Sequence, residues 1–126
     1  MIDSLLKFSD PAQAFDAFSF AGMTTMIGEP PVEIILVATH EFSICEIGEH
    51  FKETGVMLPN PVPGEPDIPE IVGDGLHWAA YRNIAEDTVP FLLEPFVVWD
   101  SSMVDINGVL IPRPLSDPDI PTGFWL

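Results

Sequence analysis

Basic side chains are scarce in this sequence, and their scarcity limits the partners that the protein can have. The 126 residues include four Lys or Arg against 20 Asp or Glu, which gives a formal net charge of −16 at pH 7. A charge of that sign and size repels nucleic-acid phosphates and anionic lipid headgroups. We therefore expect no direct binding to nucleic acid and none to membranes.

Cysteines and long apolar runs are also lacking. Cys45 is the only cysteine, so the chain cannot close an intrachain disulfide. No apolar run approaches the ~18 residues of a membrane-spanning helix, and no signal-peptide pattern opens the sequence. Because 47% of the residues are hydrophobic, the chain contains enough apolar surface to fold. We expect a soluble protein made in the cytoplasm.

Signatures of metal binding and catalysis are missing as well. His40, Cys45 and His50 are five residues apart, so on an extended strand the cysteine would point away from both histidines. The sequence "DING" at 105–108 lacks the later acidic ligands of a calcium loop and is typical of a turn. The sequence therefore predicts no metal, no cofactor and no catalytic residue, and we do not expect an enzyme.

What the sequence contains is a mixed pattern of helix and strand. Asp10 can cap a helix over residues 12–20. The β-branched residues of 32–51 predict one long strand, or two strands with a break near His40 and Glu41. Residues 1–8 fit a short strand or a helical turn, and we favour the strand. The other predicted elements are a strand at 76–84, a short helix within 85–95 and a strand at 96–99.

This order predicts a small α+β fold of the ferredoxin-like (βαββαβ) type. Such a fold has one antiparallel sheet with two helices on one face. We expect a single domain over residues 1–111, since the chain is too short for two independent cores. That domain would contain a proline-rich loop at 57–73. Residues 112–126 include four prolines and are predicted to form an extended C-terminal arm.

The proline-rich loop is a candidate binding segment. Five prolines lie between Pro59 and Pro69. Because proline fixes φ and favours extended geometry in the preceding residue, the segment is predicted to be a semi-rigid arm that loses little entropy on docking. A long hairpin loop is the alternative interpretation. The predicted partner-binding residues of this segment are Pro59, Pro61, Pro63 and Pro66.

Two further segments supply candidate partner-binding residues. On a strand, Trp78 and Arg82 share one face and Tyr81 lies on the other. These three residues fit an interface patch or an ordinary half-buried strand. The aromatic C-terminus follows a segment that cannot form a regular helix, and we expect it to insert into a neighbouring subunit. The candidates in this last segment are Phe124, Trp125 and Leu126.

Three motifs follow one another between residues 33 and 99: "VATHEFSICEIGEHFKETGVML", then "GLHWAAYR" after an acidic insertion, then "LLEPFVVW". Their order resembles that of short tail-region virion proteins of tailed bacteriophages and prophages. The resemblance implies a structural component of the virion, from the tail, the baseplate or the fibre-attachment region, that is made in the host cytoplasm. It also implies other virion proteins as partners, in a homo- or hetero-oligomeric assembly.

The acidic charge leaves one alternative function. A small acidic protein can imitate nucleic acid and inhibit a host defence enzyme. Here, however, the acidic residues are spread from Asp3 to Asp119 rather than gathered in phosphate-like rows. The leading hypothesis is therefore a structural virion protein that docks on neighbouring subunits through its proline-rich and aromatic segments.

Overall fold

The computed structural model describes residues 1–115 and 117–122, and this part of the chain is mostly β, with one α-helix. In chain order the elements are β1 (Ile2–Phe8), α1 (Pro11–Phe20), β2 (Thr24–Ile27), β3 (Val32–Ile35), β4 (Phe42–Gly48), β5 (Phe51–Leu58), β6 (Ile68–Gly73), β7 (His77–Asn83) and β8 (Val97–Asp100), with a 3-10 turn at Glu94–Phe96.

The strands form three separate antiparallel sheets. The main sheet has four strands in the order β4-β7-β1-β8, so β1 and β7 are its central pair. Their register runs from Ile2 opposite Asn83 to Phe8 opposite His77. The other two sheets have two strands each, β2 with β3 and β5 with β6. Strands β1 and β7 therefore form the middle of the main sheet, while β5 and β6 form a hairpin outside it.

Helix α1 begins where the sequence predicts it. The Asp10 carboxylate accepts a hydrogen bond from the Gln13 amide at 2.7 Å, and Pro11 occupies the first helical turn. Ala14 and Phe18 lie on the buried face of the helix. The helix therefore has both a local start signal and an apolar face that packs on the sheet.

The first face of the main sheet packs against α1. Leu6 and Phe8 of β1 point to this face and are fully buried together with Phe18 of the helix. The ring centroids of Phe8 and Phe18 lie 5.6 Å apart in an edge-on arrangement. Leu93, in the turn before β8, closes the same cluster.

The second face of the sheet is covered by the C-terminal segment instead of a helix. Leu5, Trp78 and Trp99 form its buried cluster, and the half-buried Ile120 packs against it. The Trp99 indole nitrogen donates a hydrogen bond to the Ile111 carbonyl at 3.1 Å. The described part of the predicted C-terminal arm therefore contacts the domain and covers part of the second face, on which Lys7, Cys45 and Arg82 remain exposed.

The predicted ferredoxin-like fold is wrong, because residues 85–95 do not form the second helix that it requires. Leu93 donates its amide hydrogen bond to Pro90 and Phe96 donates to Leu93, which is the three-residue spacing of a 3-10 turn. Pro90 and Pro95 leave only four residues between them, too few for a stable α-helix.

Strand pairing adds a second difference from the βαββαβ prediction. The described residues contain eight strands, and four of them, β2, β3, β5 and β6, belong to two-stranded sheets that the sequence did not predict. The predicted strands at 1–8, 76–84 and 96–99 are confirmed as β1, β7 and β8. The break near His40 is also confirmed, since β3 ends at Ile35 and β4 begins at Phe42.

We predict that Ile120→Ala lowers the free energy of unfolding by about 1–2 kcal/mol, because it removes part of the apolar cover of Trp78 and Trp99. The thermal midpoint should fall by roughly 3–10 °C. Leu115→Ala is the control, since Leu115 is 66% exposed and should have little effect. Equal midpoints for the two variants would show that the C-terminal segment adds nothing to the core.

Candidate functional site

The β5–β6 hairpin is exposed along its whole length. All eight residues of β5 are exposed, and so are Ile68, Ile71 and Val72 of β6. Neither strand pairs with the main sheet. A lone two-stranded hairpin is only marginally stable in water, so the contacts at the base of this one matter for its stability.

Both faces of the hairpin carry apolar side chains. Met57 lies opposite Pro69, so it shares a face with Ile71, two residues further along β6. Leu58 lies opposite Ile68 on the other face. The exposed fractions of the largest apolar side chains are 58% for Phe51, 58% for Ile71, 54% for Met57 and 51% for Val56. An exposed apolar group of this kind is typical of an interaction site.

A carboxylate fixes the base of the hairpin. Asp74 follows β6 and accepts hydrogen bonds from the Trp78 indole at 2.7 Å and from the Leu76 amide at 2.9 Å. Its own amide donates to the His50 carbonyl at 2.9 Å. Partial burial raises the pKa of Asp74, but the hydrogen bonds from Leu76 and Trp78 outweigh this effect, and the pKa lies below its ordinary value. The ionised carboxylate therefore ties the hairpin to the core.

The C-terminal segment also contacts the base of the β5–β6 hairpin. Lys52 of β5 donates to the Asp119 carboxylate at 2.8 Å, and a ring nitrogen of His50 lies 3.1 Å from the Pro118 carbonyl. The hydrogen bond to Asp119 raises the pKa of Lys52, and the pKa of Asp119 is lowered by the same contact. The hairpin is thus fixed at its base and exposed beyond it.

The proline-rich loop is the tip of this hairpin. Residues 59–67 join β5 to β6, and the Asn60 side chain closes the loop. Asn60 donates to the Pro66 carbonyl at 3.1 Å and accepts from the Val62 amide at 2.9 Å. Pro59, Pro61, Pro63 and Pro66 are all exposed. The alternative interpretation, a long hairpin loop, therefore describes the segment better than a polyproline-like arm.

The other predicted partner-binding residues lie elsewhere. Trp78 and Tyr81 are 2% and 3% exposed and belong to clusters on opposite faces of the sheet. Burial raises the pKa of Tyr81 to about 12. Arg82 is exposed and donates two hydrogen bonds to Asp3, at 2.5 and 2.9 Å. The structure does not bring these three residues into one patch. Phe124, Trp125 and Leu126 lie outside the described residues.

Sequence reasoning missed the apolar strands on either side of the loop. The signal was present in "VML" before the prolines and in "IPEIV" after them. A proline at position 69 and a glycine at position 55 weaken the alternation that identifies strands. The predicted partner-binding residues were the prolines of the loop, whereas the larger apolar surface belongs to the strands.

The described residues contain neither a cluster of metal-ligating side chains nor a membrane-spanning helix. Within residues 1–115 and 117–122, no three His, Cys, Asp or Glu side chains are grouped so that they could hold a metal ion. In the same residues no helix has the length and apolar character needed to cross a membrane. Cys45 is exposed on β4 and unpaired with another cysteine.

Comparisons of the chain with protein-family models, with curated proteins and with solved structures find no match. Function must therefore be inferred from the geometry of the chain, and the projecting hairpin is the feature on which we base it.

We predict that Asp74→Ala lowers the free energy of unfolding by about 1–3 kcal/mol, because the buried Trp78 indole loses its acceptor. Chemical denaturation at neutral pH measures this loss. Asp67→Ala in the exposed loop is the matched control and should change stability little.

The effect of Asp74→Ala should also depend on pH. Since the folded-state pKa is depressed, the contribution of Asp74 is fully present above its ordinary value of 3.8 and is lost as the pH falls through the lower folded-state value. The difference in stability between the two proteins should therefore narrow below about pH 4. A difference that stays constant into acid would show that the charge of Asp74 is not involved.

Proposed function

We propose that this chain is a structural component of a bacteriophage virion, in the tail, baseplate or fibre-attachment region, that docks on neighbouring subunits through the β5–β6 hairpin. The observation that carries the proposal is the exposure of apolar side chains on both faces of a hairpin whose base is fixed. The assignment to a virion rests on the resemblance of residues 33–99 to tail-region proteins. The assignment of the docking element rests on the hairpin.

The energetics of the hairpin favour docking over solvent exposure. Because Phe51, Met57 and Ile71 are 54–58% exposed, burying the rest of each side chain in a partner gains about 1–1.5 kcal/mol before the costs of association. A hairpin that is already folded and anchored loses less conformational entropy on binding than a disordered segment does. A few such side chains are enough to form the centre of a specific interface.

The strand edges offer a second kind of contact. In the described structure β5 and β6 pair only with each other, so each has one open edge of unpaired backbone groups. A strand of a neighbouring subunit can add to such an edge, and the apolar side chains then select the partner. Strand addition and apolar packing together fit a component that is built into a larger particle.

The first test is the composition of the particle. Mass spectrometry of purified particles should find this chain at a stoichiometric level. The double variant Val56→Thr/Met57→Gln keeps the side-chain volumes nearly unchanged but removes apolar surface from the hairpin. We predict that its incorporation falls about tenfold or more, from the loss of roughly 1.5 kcal/mol or more of docking energy, while the thermal midpoint of the free chain stays the same.

The matched control is Val109→Thr/Leu110→Gln, which makes the same exchanges at positions that are 61% and 62% exposed but lie outside the hairpin. It should be incorporated like the unchanged protein. Absence of the chain from particles, or equal incorporation of both double variants, would refute the proposal.

Salt separates this function from nucleic-acid mimicry. Apolar docking should survive about 1 M salt, where the Debye length is only about 3 Å and surface charges are screened. We predict that washing particles at this salt concentration leaves the chain bound. Complete release would point instead to binding through the acidic charge, as expected of a nucleic-acid mimic.

A further inference from the structure

Residues 117–122 are attached to the domain by side-chain contacts and one carbonyl, and they belong to no helix or strand. The contacts are those of Asp119 with Lys52 at 2.8 Å, of the Pro118 carbonyl with a ring nitrogen of His50 at 3.1 Å, and of Ile120 with the buried cluster of Leu5, Trp78 and Trp99. All the groups that receive the segment lie within residues 1–100 of the chain. The receiving surface is therefore complete without the connection that leads to the segment.

The shape of the segment is fixed in part by its own residues. The Asp117 carboxylate accepts a hydrogen bond from the Asp119 amide at 2.8 Å. Pro118 and Pro121 fix φ at two further positions. A segment that is ordered in this way loses little conformational entropy when it docks, whichever copy of the chain receives it.

The connection before the segment is suited to an extended course. The amide and the carbonyl of Ile111 are both hydrogen-bonded to the domain, so the chain is held as far as this residue. Pro112 and Pro114 follow and favour extended geometry in the residues before them. From Ile111 to Pro118 the chain can extend to roughly 25 Å. The segment can therefore reach the domain of a neighbouring copy.

The receiving surface needs this segment, but not from its own chain. Trp78 and Trp99 are 2% and 8% exposed with the segment in place, and an uncovered surface would expose both rings to water. The contacts are the same whichever copy supplies the segment, so exchange keeps all of them. Within one chain the effective concentration of a tethered segment is roughly millimolar, and copies held side by side in an assembly compete with it.

We infer that residues 117–122 of one copy dock on the Trp78–Trp99 surface of a second copy, which returns its own segment in exchange. The result is a symmetric dimer in which each core is completed by Ile120 of the other chain. The inference deepens the proposed function, on which its place in a virion rests, by naming a second copy of this chain as one neighbouring subunit.

The first test uses the purified full-length chain at about 1 mM and physiological salt, which screens its formal charge of −16. The sample is incubated a few degrees below its thermal midpoint, so that the segment opens, and is then cooled, diluted and sized by sedimentation velocity. We expect a dimer that persists after dilution, while a sample kept dilute throughout stays monomeric. A chain that remains monomeric after this treatment would overturn the inference.

Reversing the ion pair gives the decisive result. Lys52→Glu and Asp119→Lys each bring like charges together among copies of the same variant. In an exchanged mixed dimer, one site has the native Lys52–Asp119 pair and the other has the pair with its charges reversed. The mixture should dimerise about tenfold more strongly than either variant alone, because two repulsive contacts become two ion pairs.

Net charge cannot produce this result. The net charge of the mixed dimer lies between those of the two single-variant dimers, so general repulsion predicts association between theirs. The matched control mixes Lys52→Glu with Asp16→Lys, which changes an exposed carboxylate outside the segment. This mixture should show no gain. An equal gain in both mixtures, or none in either, would contradict the exchange.

A locked chain excludes dimers formed through other surfaces. In Cys45→Ser/Lys52→Cys/Asp119→Cys, a short bifunctional thiol reagent applied in dilute solution joins the segment to its own domain. The locked chain should stay monomeric after concentration and warming, whereas the same variant without reagent should dimerise. Equal dimerisation of both would refute the inference. None of these outcomes affects the particle test, so the proposed function can stand while this inference fails.

Discussion

The structure depends on the pairing of β1 with β7 in the middle of a sheet that packs against other segments on both faces. Adjacent residues of β1, Leu5 and Leu6, point to opposite faces, and both are fully buried. A single helix covers only one face. The other needs a second layer, and the C-terminal segment provides it through Ile120 and the hydrogen bond from Trp99. The position of this segment is thus a consequence of the central pair.

The hairpin takes no part in this layered packing. Helix α1 packs on one face of the sheet and the C-terminal segment on part of the other, and β5 and β6 pair with no strand of the main sheet. The hairpin therefore stands outside the core, held at its base by Asp74 and by the Lys52–Asp119 pair. Its apolar side chains add little to the stability of the isolated domain, and their burial is gained only on docking.

Local signals allowed part of this fold to be predicted from the sequence. The helix was recognised because Asp10 and Pro11 are start signals that act within one turn. The strand at β7 was recognised from its own residues, yet these could not show how Trp78 and Tyr81 are covered, since Tyr81 lies in the cluster of α1 and Trp78 in the cluster that Ile120 covers. Trp78 and Tyr81 were therefore candidates for a surface patch, although both rings are buried.

Other features could not be predicted because they depend on long-range pairing. The second helix is an exception, since its failure has a local cause: Pro90 and Pro95 leave only four residues between them, and a 3-10 turn forms there instead. The strands of the β5–β6 hairpin were not assigned, because their sequences do not alternate and they pair across a nine-residue loop. The apolar surface of the β5–β6 hairpin could thus be identified only in the structure, although the prolines had indicated the loop at its tip.

Hydrogen–deuterium exchange of the chain, free and within particles, tests the account most directly. In the free chain the amides of β1 and β7 should exchange slowly, while those at the open edges of β5 and β6 should exchange fast. In the particle the amides of the hairpin should become protected, while those of the central pair should change little. Fast exchange of the hairpin in the particle, with new protection confined to other parts of the chain, would contradict the claim that the hairpin is the docking element.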